Sequence, residues 1–231
     1  MTLAMIAENL QRIRAKIAQA AIAVDRSPEE VRLVAVSKHF PAEKINEAFA
    51  AGQIIFGENY IKEVQTKRSQ TPPAAIFHFI GHLQSNKAQI AAATCDMIET
   101  VDSLKLGKTL NRHLQALNKT MDVLVQVNIG DDRNKAGVTR TEAGRLLDQL
   151  NRLEKIRVRG LMTMPPLEED PELSRPYFRN LRLLAEKLMK EGFFPAVEKP
   201  ELSMGMSSDF HIAIEEGATI VRVGTAIFGQ R

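Results

Sequence analysis

Short apolar runs alternate with segments of helical periodicity along almost the whole chain, and that alternation limits the fold more than any other feature. The runs occupy residues 31–36 (VRLVAV), 54–56, 76–80, 97–99, 123–127, 157–162, 202–203 and 219–223. Their Val, Ile, Leu, Met and Phe side chains suit a pleated surface, and continuous apolar runs suit strands covered on both faces. Helical patterns fall between them at 42–51, 60–67, 86–93, 104–117, 142–151, 174–190 and 209–216. Strands that regularly alternate with helices pair in parallel. Eight such strands in 231 residues suit a (β/α)8 barrel. The other architecture with this pattern is an open, doubly wound sheet. Only residues 224–231 follow the last strand, too few for a full eighth helix, whereas a surplus helix precedes the first strand. Thr2 is placed to cap that helix over 3–20, and Leu3, Ile6, Leu10, Ile13 and Ile17 form one apolar stripe along it. The expectation is an α/β fold: one TIM-type barrel domain over residues 1–231, with the N-terminal helix packed where the eighth helix would lie.

Composition narrows the function. The formal net charge is only +3, and Lys and Arg are interleaved with Asp and Glu, so nucleic acid is not implied as a partner. Cys95 is the only cysteine, which excludes an internal disulfide and fits a reducing compartment. No apolar run approaches the length of about 20 residues that spans a bilayer. Glu8, Arg12, Arg14 and Lys16 interrupt the first apolar stretch, so it does not read as a secretory signal. A cytoplasmic protein is expected.

In a parallel barrel the carboxyl ends of the strands meet on one rim, and ligands bind there. Lys38 follows the first strand, just before Pro41 and a helix. A lysine rooted in a dry strand can lose its proton and act as a nucleophile toward an aldehyde; it can also be a solvated lysine after a strand. Gly224-Thr225 follows the last strand, where barrels commonly hold phosphate, and Ser207-Ser208 could add hydroxyl donors or cap the helix carrying His211. The same residues also fit a plain cap and turn. Arg222, on the last strand, needs a partner, either a structural ion pair or a ligand acceptor atom. Three look-alikes are set aside. Gly107-Lys108-Thr109 lacks the earlier glycine of a P-loop, since Asp102 stands there. His78 and His82 lie on a strand and its loop without further ligands in zinc spacing. Asp131-Asp132 with Asn134 lacks the rest of a calcium loop. No metal site is expected.

Taken together, Ala35-Val36-Ser37-Lys38, Phe56-Gly57-Glu58-Asn59-Tyr60, the segment from His78 to Lys87, Val127-Asn128-Ile129 with Lys135-Ala136-Gly137, Arg159 to Met164, Leu202 to Ser207 with Asp209, and Val221 to Gly229 resemble the pyridoxal phosphate homeostasis protein family. The resemblance runs from the first strand to the C-terminus. It implies a barrel like the N-terminal domain of alanine racemase, and pyridoxal 5'-phosphate (PLP) as cofactor. Lys38 matches the lysine that holds PLP as a Schiff base. Ser207, Gly224 and Thr225 match the phosphate-binding positions, and Arg222 matches the arginine facing the pyridine nitrogen. Asn59 and Met204 match residues around the cofactor. The implied role is intracellular PLP homeostasis, buffering the cofactor or delivering it to PLP-dependent apoenzymes, as a monomer and without robust turnover. An arginine against the ring nitrogen disfavours its protonation and weakens the ring as an electron sink. The alternatives are a PLP-dependent amino-acid racemase and a barrel enzyme acting on a phosphorylated sugar. In one respect the chain departs from some bacterial members, which have a second lysine two residues after the first. Phe40 stands there, and Lys135 is the candidate for a nearby positive charge.

Overall fold

In the computed structural model, which describes residues 3–230 apart from 131, 133, 134, 167, 168 and 196, eight parallel strands close into a barrel. They are β1 (Arg32–Val36), β2 (Ile55–Glu58), β3 (Ile76–Phe79), β4 (Met97–Val101), β5 (Met121–Gln126), β6 (Ile156–Met162), β7 (Glu201–Ser203) and β8 (Ile220–Val223). The helices are α1 (Leu3–Ile22), α2 (Ala42–Ala50), α3 (Ile61–Arg68), α4 (Ala88–Thr94), α5 (Leu104–Ala116), α6 (Ala143–Asn151), α7 (Arg175–Lys190), α8 (Phe210–Glu215) and the single turn α9 (Thr225–Phe228). Closure is made by β1 on β8, with Arg32 beside Ile220 and Ala35 beside Val223. The barrel, not the open sheet, is the architecture.

The surplus helix fills the place expected of it. α1 packs between α8, which follows the seventh strand, and α2, which follows the first, and it also touches α9. Ile6, Leu10, Ile13 and Ile17 are buried along its inner face. Each such side chain is worth roughly 1.5–3 kcal/mol when fully removed from water. Asn9 Nδ2 donates to the Ile227 carbonyl at 2.9 Å, tying α1 to the turn after β8. The expected Thr2 cap and the position of Leu3 in the stripe lie outside the described residues and side chains.

Strand boundaries move where tertiary contacts override local preference. β2 continues through Gly57 and Glu58, which carry little strand propensity. Gly57 faces the barrel interior, where an added Cβ would lie 2.8 Å from Val34 Cγ1. Glu58 faces outward and is fully buried behind the sheet, where Ser37 and Lys67 donate to it. β4 runs on to Val101 through buried Glu99 and Thr100.

Side chains alternate between two compartments. Outward-facing ones pack under the helices. Inward-facing Val34, Ile55, Met97, Leu124, Met162 and Ile220 form a separate apolar plug inside the barrel. Nearer the carboxyl rim the interior turns polar, with buried His78, Glu99 and Arg222 joined by Ser203. Among the described residues no helix is long and apolar enough to cross a membrane. The P-loop look-alike Gly107-Lys108-Thr109 lies inside α5.

Candidate functional site

Lys38 follows the end of β1 by two residues and keeps the inward parity of Val34 and Val36. It is half-buried at the carboxyl rim and lines a cavity of about 210 Å³. Asn59 from the end of β2, Ser207 from the loop after β7, and Arg222, Gly224 and Thr225 from β8 and its turn line the same cavity. Val36, Phe40, Ile80, Met164 and Met206 supply its apolar wall. Six of the seven residues expected at the site therefore converge, drawn from four strand ends. A larger groove of about 630 Å³ lies outside the barrel between α6 and α7, away from the strand ends.

The seventh residue, Met204, does not line the cavity. Ser203 points into the barrel, so strand alternation sends Met204 outward, fully buried in the core beneath the helices. Met206 takes its place in the wall. The expectation that Ser207-Ser208 caps the following helix also needs correction. α8 begins at Phe210, both serines are exposed, and the side chain of Asp209 turns back to accept the Met206 N–H at 2.6 Å. Phe40 packs its ring against Phe228 at 5.2 Å between centroids and belongs to the apolar wall. Lys135 Nζ donates to the Met164 carbonyl at 3.3 Å, which places a cation beside the rim. Asp132 accepts at its carbonyl from Asn128 Nδ2, and its neighbours 131 and 134 of the rejected calcium loop lie outside the described residues.

The floor of the cavity is a buried polar layer that pattern alone did not reveal. Arg222 donates to Ser203 Oγ and, through Nη2, to the Thr163 carbonyl at 2.9 Å. Ser203 Oγ donates to Glu99 Oε2, and Glu99 Oε1 lies 2.6 Å from His78 Nδ1. Burial pushes the Glu99 carboxyl up, but the His78 hydrogen bond and the charges of His78 and Arg222 outweigh it. The group is held below the usual carboxylate range. Burial lowers Arg222 from its ordinary value against the opposing pull of Glu99 and Asp209. The layer therefore fixes a guanidinium at the base of the cavity, with its partners supplied from β4, β6 and β7. His78, set aside as a zinc ligand, is part of this layer.

Gly81 shows how tightly the rim is built. A Cβ there would strike the backbone of Asn59, coming within 2.8 Å of its Cα. Gly81→Ala should destabilise the fold by about 1–3 kcal/mol, as overpacking does. It should also displace Asn59 from the cavity wall. A urea melt checks the first effect. A denaturation midpoint equal to wild type would show that the rim relaxes freely.

Fold and site together define a barrel of the kind that forms the N-terminal domain of alanine racemase. Residues 2–231 match the family model for that domain. An alanine racemase from Clostridium difficile shares the fold, with a TM-score of 0.75 at 18% identity; the alignment covers 98% of this chain and 60% of the racemase. Within this class the chain belongs to the pyridoxal phosphate homeostasis protein family. It is 41% identical to the Vibrio alginolyticus member over 231 residues, covering 98% of this chain and 97% of the relative. It is 40% identical to that of Escherichia coli over 230 residues, with the same coverage. The structure of PipY from Synechococcus elongatus with PLP bound superposes with a TM-score of 0.83 at 37% identity, covering 97% of this chain and all of that one.

Proposed function

We propose that this chain binds pyridoxal 5'-phosphate at the rim cavity and serves in PLP homeostasis, holding the cofactor covalently on Lys38 and buffering or delivering it. The observation that carries the reading is the convergence of an amine, a buried guanidinium and a Ser-Gly-Thr cluster on one cavity. When bound, PLP supplies an aldehyde that a lysine amine captures, a dianionic phosphate and a ring nitrogen. Lys38 answers the first. Ser207 and Thr225 offer hydroxyl donors and Gly224 a close backbone approach, suited to the phosphate. Arg222 answers the ring nitrogen, and its permanent charge disfavours a proton there. Asn59 contributes an amide to the wall. The name of the relatives and the PLP-bound neighbour support the same reading.

The proposal extends to a non-catalytic role. Neither Tyr60 nor Tyr177 is among the described residues lining the cavity, so neither stands opposite Lys38 as a second proton-transfer group. We read the chain as a single barrel domain over residues 1–231, cytoplasmic and monomeric, with PLP-dependent apoenzymes as recipients. Large exposed apolar side chains, such as Ile22, Ile54, Leu117 and Leu183, are scattered over separate elements, as on a monomer. Adding PLP to the wild-type protein should produce a near-ultraviolet or visible band that survives dialysis. Incubation of the loaded protein with amino acids in deuterium oxide should leave their α-protons in place. Failure to take up PLP would overturn the binding reading, and rapid α-proton exchange would make the protein a racemase-type enzyme.

A further inference from the structure

The turn that carries Lys38 is held from behind by three charged residues that do not line the cavity. Lys67 on α3 has its ammonium within 3.0 Å of the Ser37 carbonyl, 2.7 Å of Glu58 Oε1 and 2.7 Å of Glu63 Oε2. Ser37 Oγ donates to the same Glu58 oxygen at 2.7 Å. On the other side of Lys38, the His39 N–H donates to Glu63 Oε2 at 2.8 Å, and His39 Nδ1 lies 3.3 Å from Glu63 Oε1. Both neighbours of Lys38 are thus fixed to one network.

Two features set this network apart from an ordinary helix anchor. His39 has φ of 66°, a left-handed conformation that costs a residue with a Cβ and persists only where the surroundings enforce it. Its imposed contacts are the Glu63 carboxylate and the Tyr60 ring, centred 5.0 Å away. The network is also expensive. Glu58 and Lys67 are buried, and taking an ion pair out of water brings little net stability. Burial drives the Glu58 carboxyl up to about 7 despite Lys67 and Ser37. Burial also raises Glu63, but the hydrogen bonds from Lys67 and the His39 N–H outweigh it and hold it below the usual range.

We infer that Glu63 and Lys67, with Glu58, are positioning residues that clamp Ser37 and His39 and so aim the Lys38 amine into the cavity. The inference rests on the PLP-binding reading for its consequence, but the clamp itself is measurable without cofactor. The clamp reduces the number of arrangements Lys38 must search before its amine meets a carbonyl carbon, so it governs the rate of capture more than the strength of phosphate binding.

The test uses the full chain with Glu63→Ala and Glu63→Gln. Glutamine keeps a carbonyl acceptor for the His39 N–H. In the cofactor-free protein, Glu63→Ala should speed amide hydrogen exchange at His39 by about tenfold, the worth of one net hydrogen bond, while core amides of β5 keep their protection. PLP uptake, followed by absorbance, should slow by about the same factor, and Glu63→Gln should restore most of both. Unchanged exchange at His39, or exchange that rises equally in β5, would reduce the network to a plain anchor for α3 and overturn the inference. Faster exchange at His39 with normal uptake would overturn the aiming role. Lys67→Met, if it folds, should loosen the Ser37 side of the turn; the Glu63 pair decides the question if it does not. A wild type that takes up no PLP would remove the binding reading, whereas the exchange result would still stand on its own.

Discussion

Lys38→Ala is expected to abolish borohydride-stable retention of PLP and to weaken its apparent affinity by about a hundredfold or more, a loss of ~3 kcal/mol or greater. Removing the amine removes the only lysine that lines the cavity among the described residues. Ser207, Gly224, Thr225 and Arg222 stay in place, because Lys38 is half-buried at the rim and contributes little to the core. The variant should therefore melt near the wild-type temperature and retain weak, freely dialysable binding. Equilibrium dialysis with and without borohydride separates the two modes. Equal covalent retention in the variant would place the capturing amine elsewhere.

The second large effect is structural. Arg222→Leu should cost about 3–5 kcal/mol, the usual consequence of removing one partner from a buried charged pair. Arg222 and Glu99 are both buried inside the barrel and joined through Ser203. The cost should depend on pH, and the direction follows from Glu99. In the wild type its folded pKa lies below the unfolded value, with burial outweighed by His78, Arg222 and Ser203. Its contribution is therefore present above the ordinary carboxylate pKa of about 4.3 and is lost as pH falls through the folded value. Without Arg222 one of those lowering influences is gone and burial is less opposed. The stability gap between wild type and variant should thus be widest near neutral pH and narrow as pH falls from the variant's higher Glu99 value toward the wild type's lowered one. Urea melts at pH 7 and pH 4 read this directly. A gap independent of pH would mean that the loss is one of packing alone.

The barrel was legible because its signal is redundant. Eight apolar runs, each separated by a helical period, leave few parallel architectures, and the spare helix α1 ahead of β1 favours the closed one. Lys38, Asn59, Ser207, Gly224 and Thr225 were legible for a related reason: polar residues directly after strands must gather on one rim. Met204 was named on the resemblance alone; its outward direction was not legible, because β7 is only three residues long and its pattern does not show that Ser203 faces inward. The polar floor was hidden for a different reason. Glu99 sits within the apolar run Met97 to Val101, and its partner Ser203 lies 104 residues away. Local pattern shows a charge in a strand but not what neutralises it. Glu58 was taken as loop, since Gly and Glu carry little strand propensity, yet Ser37 and Lys67 hold it in the sheet. The clamp on the Lys38 turn depends on an α3 lysine whose spacing looks like ordinary helix surface.

On the proposed reading one amine, Lys38, captures the cofactor at this rim. The most direct measurement is to load the wild-type protein with PLP, reduce it with borohydride, digest it and locate the added mass by tandem mass spectrometry. The reduced pyridoxyl-phosphate adduct is expected on the peptide containing Lys38, in stoichiometric yield. Modification confined to Lys135 or another surface lysine, or no modification at all, would contradict it.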